Sequence, residues 1–484
     1  MSLSHKTALN IIWNFAEQLA RKGIAVLTTM LLAHFLTPSD FGLVSMMTIF
    51  LALGNSLMES GFKQALIRLH PANSVDFDTA FISNVFLGLL SYVILFFSAP
   101  FIASFYHEDR LIDLIRVASL SIPLNSLQIV QVAKLSCELN FRSQVKATVV
   151  GSTISSIASI IIASFGFGVW AIIYQTVLSV FFTTVYFWYS ESWKPSFVFS
   201  LESFKKMYGF GYKLFLSGLL DTIFNNIYVV VIAKIFSSVI AGHFFFAEKV
   251  KQLLIAQIVN AVQTASYPSL SLIQNDDDRL KNAYRKLISV TMYFLTPILI
   301  SVALLSENLF RLFLSDQWIP SVQYLKLMCI SGLAYPLHSI NLNVLKLKGR
   351  ADLFLYLEIV KKVLVSVVLL LTFKHGVIAI LVGQIITSVI AYFPNSYFTK
   401  KLINYSVLEQ FIDFFPCLFL SFSLCFTTYF IINYFEPSDL IIVFIYSLLI
   451  LAFYPLLSFL FKIKAFSHFM EFLNLKGFVS KRRP

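Results

Sequence analysis

The sequence predicts an all-α integral membrane protein with about 14 transmembrane helices, arranged as two six-helix lobes that repeat in parallel plus two C-terminal helices. Of its 484 residues, 58% are hydrophobic and only 13% are charged, whereas soluble domains typically carry about 25% charged residues. The apolar residues form runs of roughly 20, the helix length that crosses about 30 Å of hydrocarbon. Strands of a membrane β-barrel would instead alternate polar and apolar residues over about 10 positions.

These apolar runs predict fourteen spans. They cover residues 9–36, 41–62, 80–105, 112–135, 145–165, 168–190, 210–236, 240–265, 287–306, 322–345, 352–373, 376–398, 411–434 and 439–461. The predicted organisation is an N-lobe over 1–191 (spans one to six), a cytoplasmic linker over 192–208, a C-lobe over 209–400 (spans seven to twelve), and spans thirteen and fourteen with a basic cytoplasmic tail over 401–484.

Basic residues alternate between successive loops. About two thirds of the 37 Lys and Arg residues fall on the side of the N-terminus, and about a sixth fall in the opposite loops. Because cytoplasmic loops are enriched in Lys and Arg, we expect both termini in the cytoplasm. This bias, together with contact with anionic lipid headgroups, accounts for the net charge of +12, so no nucleic-acid partner is predicted.

The predicted outer loops are short, and an enzyme of polysaccharide assembly would need a larger one to carry catalytic carboxylates. We therefore expect no catalytic activity. The three aspartates at 276–278 are interpreted as a helix cap, where negative charge suits the helix dipole. Three adjacent carboxylates cannot converge on one cation, so no metal site is predicted. A phosphate-binding GxxxxGK[ST] motif does not occur, and no cofactor is predicted.

A shift of 200 residues aligns two similar stretches of sequence. LLAHFLTPSDFG at 31–42 then matches VIAKIFSSVIAG at 231–242, with Gly42 opposite Gly242. Six spans separate the two copies, so both cross the membrane in the same direction. This arrangement is typical of transporters built from two parallel halves.

The first span combines transmembrane length with three charges, Glu17, Arg21 and Lys22. A helical wheel places them on one polar stripe within roughly 140°. A charge at such depth is costly unless it faces water or a partner. We therefore interpret these residues as part of a functional site.

Polar stripes on three later spans extend this prediction. The residues are Asp221 and Asn225 in span seven, Glu248, Lys249 and Lys251 in span eight, and Glu358, Lys361 and Lys362 in span eleven. Internal ion pairs that hold the helices together are an open alternative for each pair. Because the deep cations outnumber the deep carboxylates, we predict a cationic central cavity that faces an anionic substrate.

Three stretches make the sequence resemble a known family. They are LAHFLTPSDFGL at 32–43, SYPSLSLIQNDDDRL at 266–280, and the segment from DQW at 316–318 to LKLKGRADL at 345–353. They are similar to Wzx-type polysaccharide flippases of the colanic acid and teichuronic acid exporter type, in the multidrug/oligosaccharidyl-lipid/polysaccharide exporter superfamily. The resemblance implies two six-helix lobes around a central cavity, in the bacterial cytoplasmic membrane.

The resemblance also implies a function. It is the translocation of a polyprenyl-pyrophosphate-linked oligosaccharide by alternating access, for the synthesis of exopolysaccharide, capsule or O-antigen. The implied partners are this lipid-linked glycan, the bilayer, and a polysaccharide polymerase with its export machinery. The alternative is a drug or small-cation antiporter of the same superfamily, whose cavity should be dominated by carboxylates.

Overall fold

The computed structural model describes residues 23–69, 73–138 and 140–471, and within these ranges the chain is helical with no β-strand. The first described helix, α1, is Gly23–Phe35. The others are α2 (Pro38–Glu59), α3 (Phe62–Arg68), α4 (Ser74–Tyr106), α5 (Leu111–Ala118), α6 (Ser121–Ser126), α7 (Ile129–Cys137), α8 (Phe141–Ser164), α9 (Trp170–Ser190), α10 (Leu201–Ile235), α11 (Ser238–Ser271), α12 (Asp277–Phe313), α13 (Pro320–Gly332), α14 (Tyr335–Leu347), α15 (Ala351–Thr372), α16 (Val377–Ile403), α17 (Val407–Tyr434) and α18 (Asp439–Leu460).

Nine helical segments of the described chain are long and apolar enough to cross a membrane. They correspond to predicted spans two, three, five, six, seven, nine, twelve, thirteen and fourteen. The other five predicted spans coincide with α1, α11 and α15, and with two spans that are broken into shorter helices. The predicted spans that differ from long apolar helices are thus those that contain charged residues or are broken into shorter helices. The prediction of an all-α membrane protein with about 14 spans is confirmed.

Two predicted spans are wrong as continuous helices. Span 112–135 consists of α5, α6 and α7, and span 322–345 consists of α13 and α14. Proline contributes to both breaks, with Pro123 inside α6 and Pro336 in the first turn of α14. Because proline has no N–H, the regular helical hydrogen bonds cannot continue through it.

Side chains of α9 donate hydrogen bonds to backbone carbonyls at the breaks in span four. In the first unit of the chain, Thr184 Oγ1 donates to the carbonyl of Leu124 at 3.2 Å, and Trp188 Nε1 donates to that of Leu127 at 3.0 Å. Both donors lie on α9. Because polar backbone groups need partners in hydrocarbon, these two donors add support where the regular helical hydrogen bonds are interrupted.

The chain divides into two compact units, Met1–Phe245 and Phe246–Pro484. In the first unit, α8 packs along α9, and α10 packs on α2 and α4. In the second unit, α17 packs along α12, and α18 lies against both. The non-helical segment between α9 and α10 ends at Ser200. The backbone N–H of Ser200 donates to Thr79 Oγ1 at 3.0 Å. The lobe boundaries given above stay a prediction.

The 200-residue repeat is visible as a repeated break between helices. α1 ends at Phe35 and α2 begins at Pro38, while α10 ends at Ile235 and α11 begins at Ser238. The first turns of α2 and α11 lie in contact, and Ser39 Oγ is 3.0 Å from Ser238 Oγ. The repeated elements therefore pack against each other at their equivalent ends.

Two glycines allow this contact, and they do so reciprocally. A Cβ atom on Gly42 would lie 1.8 Å from the carbonyl oxygen of Ser238, and one on Gly242 would lie 1.7 Å from that of Pro38. Gly42 of α2 thus lies against the first turn of α11, and Gly242 of α11 lies against the first turn of α2. The two helix starts are equivalent in the repeat. Close backbone approach through small residues is a common way to hold membrane helices together.

We expect Gly42→Ala to destabilise the protein by about 1–3 kcal/mol, because the new methyl group forces the two backbones apart. Thermal unfolding of the purified protein in lipid nanodiscs measures this. Gly209→Ala is the matched control, since a Cβ there meets no atom within 4 Å, and alanine favours the helix. Equal stability of the two variants would contradict the role of the glycine contact.

Candidate functional site

Three predicted site residues, Glu17, Arg21 and Lys22, lie outside the described residues and stay predictions. Asp221 and Asn225 lie one turn apart on α10 in the first unit, and both side chains are exposed there. The prediction that they share one face of a helix agrees with the continuous α10. Their role in binding stays a prediction.

Glu248, Lys249 and Lys251 lie on α11 in the second unit. Lys251 Nζ donates to Glu248 Oε2 at 2.6 Å, and the two side chains are only 12% and 18% exposed. Gln252 Nε2 donates to the other carboxylate oxygen at 3.1 Å. Glu248 and Lys251 therefore form a shielded, neutral pair, which is the structural role left open above. Lys249 adds a second positive charge to the same helix.

Lys361 and Lys362 lie in the interior of α15, and both side chains are half-buried. Two adjacent lysines inside a predicted span are costly unless water, an anion or a polar group of the protein reaches them. The pair thus places two positive charges inside one span of the second unit.

His338 belongs to a buried polar cluster that the sequence analysis missed. Its Nε2 is 3.2 Å from Ser388 Oγ, and its Nδ1 is 3.0 Å from Asn395 Nδ2. Both partners lie on α16. The sequence feature that could have indicated this cluster is the presence of polar residues inside apolar spans ten and twelve.

Gln410 of α17 is the centre of the second part of this cluster and is fully buried. Its Oε1 accepts from Asn341 Nδ2 at 2.9 Å, Tyr392 OH at 3.0 Å and Ser396 Oγ at 3.1 Å. Its Nε2 donates to Asn341 Oδ1 at 3.1 Å. These bonds join α14, α16 and α17, so the first of the two C-terminal helices is an integral part of the second unit.

Two ion pairs continue the cluster along α12 and α17. Arg285 binds Asp413 through two hydrogen bonds of 2.8 Å, and Tyr405 OH donates to the same carboxylate at 2.9 Å. Lys281 Nζ donates to Glu409 Oε1 at 2.7 Å. Asp413 is only 5% exposed, so its charge depends on these partners. The cluster is a structural connection and contains none of the predicted binding residues.

The predicted helix cap is confirmed. Asp276 is the N-cap of α12, and its Oδ1 accepts from the backbone N–H of Arg279 at 3.0 Å. Within the described ranges, no group of three or more His, Cys, Asp and Glu side chains is arranged to hold a metal ion.

The fold defines the class of the protein. The structure is similar to that of the lipid II flippase MurJ in an inward closed conformation, with a TM-score of 0.72 over 93% of this chain and 99% of that chain. The sequence identity of 16% shows a shared fold alone. The class is therefore an all-α, multi-pass membrane protein with the fold of a membrane transporter.

Sequence comparison places the chain within that class. Residues 31–323 match the family model described as polysaccharide biosynthesis protein, and the chain belongs to this family. It is 24% identical to an uncharacterized membrane protein in the cps region of Klebsiella pneumoniae over 86% of each chain. It is 23% identical to the lipopolysaccharide biosynthesis protein WzxC of Escherichia coli (strain K12) over 81% of each chain. The resemblance is thus confirmed, and the protein is a transporter of polysaccharide biosynthesis rather than an enzyme.

We expect Asp413→Leu to lower the free energy of unfolding by about 2–3 kcal/mol. The substitution leaves Arg285 without its carboxylate, and the loss stays below that of a fully buried pair because Arg285 keeps partial contact with solvent. Glu471→Ala is the control, since its pair with Lys286 is more than half exposed and, like other solvent-exposed ion pairs, should contribute little to stability. Denaturant unfolding in detergent micelles measures both, and equal losses would contradict the structural role of Asp413.

Proposed function

We propose that the protein translocates a polyprenyl-pyrophosphate-linked oligosaccharide from the inner to the outer leaflet of the bacterial cytoplasmic membrane, for surface polysaccharide synthesis. The observation that carries the proposal is the family match over residues 31–323. The similarity to WzxC and to the K. pneumoniae protein of the cps region supports a role in building surface glycans. A downstream polysaccharide polymerase would be the partner that receives the product.

The chemistry of such a substrate fits the charged spans. A pyrophosphate and a glycan are too polar to enter hydrocarbon, whereas a prenyl chain is soluble in it. The polar part therefore needs a route lined with cations and hydrogen-bonding groups. Lys249 on α11 and Lys361 and Lys362 on α15 are our candidates in the described chain. We assign Arg21 and Lys22 to the same site from the sequence.

The Glu248–Lys251 pair helps to select the sign of the substrate. Because this carboxylate is already neutralised, the neighbouring Lys249 acts on an approaching ligand with less competition from Glu248. A drug or small-cation antiporter would need deep carboxylates that lack such a partner. This arrangement supports the anionic substrate over that alternative. Both termini are proposed to lie in the cytoplasm, where the basic loops would face anionic lipids.

The binding site can be tested by removing pairs of cations. We expect Lys361→Gln with Lys362→Gln, and separately Arg21→Gln with Lys22→Gln, to lower export at least about tenfold, because each lost charge-assisted contact costs about 1.5–3 kcal/mol. The measurement is surface polysaccharide per amount of membrane-inserted protein in a strain that lacks the native gene. Lys400→Gln with Lys401→Gln, at the end of α16, is the matched double-lysine control.

Normal export by the Lys361 and Lys362 double variant would remove these residues from the site. If a double variant is instead lost from the membrane, its cations have a structural role. If deletion of the whole gene leaves surface polysaccharide unchanged and the lipid-linked glycan does not accumulate, the proposed function itself is wrong.

Alternating access can be tested where α2 and α11 meet. Ser39→Cys with Ser238→Cys, in a variant whose four native cysteines are replaced, should form a disulfide because the two Oγ atoms are 3.0 Å apart. We expect the locked protein to lose export and to regain it after reduction. Each single-cysteine variant is the control. Full export by the oxidised double variant would show that this contact stays closed throughout transport.

A further inference from the structure

Exposed apolar side chains cover the strap, the non-helical residues 191–200 that connect α9 to α10 in the first unit. Phe197, Val198 and Phe199 of the strap, and Leu201 at the start of α10, are each between 47% and 72% exposed. A connection that runs through water is expected to be polar, because apolar surface in water is unfavourable. A continuous exposed apolar patch instead marks contact with a membrane or a partner.

An aromatic stripe continues this patch along the first turns of α10. The ring centroids of Phe199 and Phe204 are 6.0 Å apart, those of Phe204 and Tyr208 are 5.5 Å apart, and those of Tyr208 and Tyr212 are 5.8 Å apart. Residues four apart share one face of a helix. Tyr208 and Tyr212 are exposed on this face, whereas Met207 of the same turns is fully buried. The stripe therefore lies on the outside of the unit.

Two exposed lysines accompany the stripe. Lys205 follows Phe204 on the flank of the aromatic face, and Lys206 comes next. The exposed Glu202 lies in the first turn of α10, where a negative charge suits the helix dipole. An exposed apolar face flanked by lysines is the pattern of a helix that lies in a membrane interface.

Hydrogen bonds and ring contacts fix the strap at the ends of two predicted spans. The backbone N–H of Ser196 donates to Oδ1 of Asp78, in the second turn of α4, at 3.1 Å. The ring centroid of Phe81 lies 6.1 Å from that of Trp188 at the end of α9. Predicted span three begins at residue 80 and predicted span six ends at residue 190. The strap thus lies where two spans leave the hydrocarbon, the level at which aromatic side chains concentrate in membrane proteins.

The backbone at Phe197 gives a further indication. Its φ of 56° is in the left-handed region, which side chains other than glycine rarely adopt. Glycine would take this conformation without strain. The Phe197 ring is mostly exposed, so packing within the unit gives it little compensation. A strained residue with an outward ring indicates a contact outside the protein.

We propose that the strap and the first turns of α10 form an anchor in the interface between the headgroups and the acyl chains of the bilayer. The exposed apolar side chains of the strap enter the acyl region, and Lys205 and Lys206 bind the phosphates of phospholipid headgroups. A lipid surface fits better than a protein partner, because the span ends fix the depth and the lysines match anionic phosphates. The predicted cytoplasmic linker then lies on the membrane surface, whichever substrate the protein carries.

The depth of the strap can be measured by electron paramagnetic resonance. A nitroxide label is attached to Phe199→Cys in the full-length protein, with its four native cysteines replaced, in phosphatidylglycerol nanodiscs. Its accessibility to O₂, which concentrates in hydrocarbon, is compared with that to the water-soluble reagent Ni-EDDA. We expect a depth of about 5–10 Å below the headgroups. Asn275→Cys, exposed in the turn before α12, is the water reference, and Phe97→Cys, exposed within α4, is the hydrocarbon reference.

The lysines are tested by reversing their charge. Lys205→Glu with Lys206→Glu should move the label at position 199 toward water, because an anionic surface repels glutamate, and the shift should be smaller in phosphatidylcholine nanodiscs. Lys400→Glu with Lys401→Glu, exposed at the end of α16, is the matched control and should leave the depth unchanged. Phe197→Gly removes a ring but suits the backbone, so it should also move the label toward water while the protein stays folded by size-exclusion chromatography.

Two results would overturn the anchor. One is a label at position 199 that is as accessible to Ni-EDDA as the label at position 275, since the strap would then lie in water. The other is protection from both reagents, since a protein surface such as a second copy of the chain would then cover it. A depth that is unchanged by charge reversal at Lys205 and Lys206 would overturn their assignment to phosphate.

Discussion

The interior of a lipid bilayer is the constraint on which this structure depends. Apolar side chains gain little by leaving lipid for another helix, so membrane helices associate through close packing and buried hydrogen bonds. The first unit uses close packing, with Gly42 and Gly242 against backbone and Gly151 of α8 against Thr183 of α9, where a Cβ would lie 2.1 Å from the hydroxyl. A few small residues therefore decide which helix faces meet.

The second unit meets the same constraint with polar groups. Gln410 satisfies its amide through bonds to α14 and α16, and Asp413 is held by Arg285 of α12 and by Tyr405. These groups would be costly in hydrocarbon if any partner were missing. Once all partners are present, they specify how α17 packs on the unit. Polar residues inside a span are thus not always binding residues, and their partners must be known before a role is assigned.

This distinction shapes the functional interpretation. Glu248 and Lys251 neutralise each other, whereas Lys361 and Lys362 bring two positive charges into the interior of one span. We propose that those lysines bind the anionic headgroup of the substrate, whose polar part is excluded from hydrocarbon. The contact between Ser39 and Ser238 joins the first turns of two helices that are equivalent in the 200-residue repeat.

The sequence by itself determined the all-α membrane class, the approximate number of spans and the 200-residue repeat, because run length, charge and self-similarity are readable along the chain. The three-dimensional structure decided the features that depend on which helix faces pack together. Arg285 and Asp413 are 128 residues apart, and no periodicity pairs them. At the breaks in span four, Thr184 and Trp188 of α9 donate to the carbonyls of Leu124 and Leu127, which lie 60 and 61 residues away in the sequence. Helix faces are readable from sequence, but their partners are set by packing, which is a property of the folded chain as a whole.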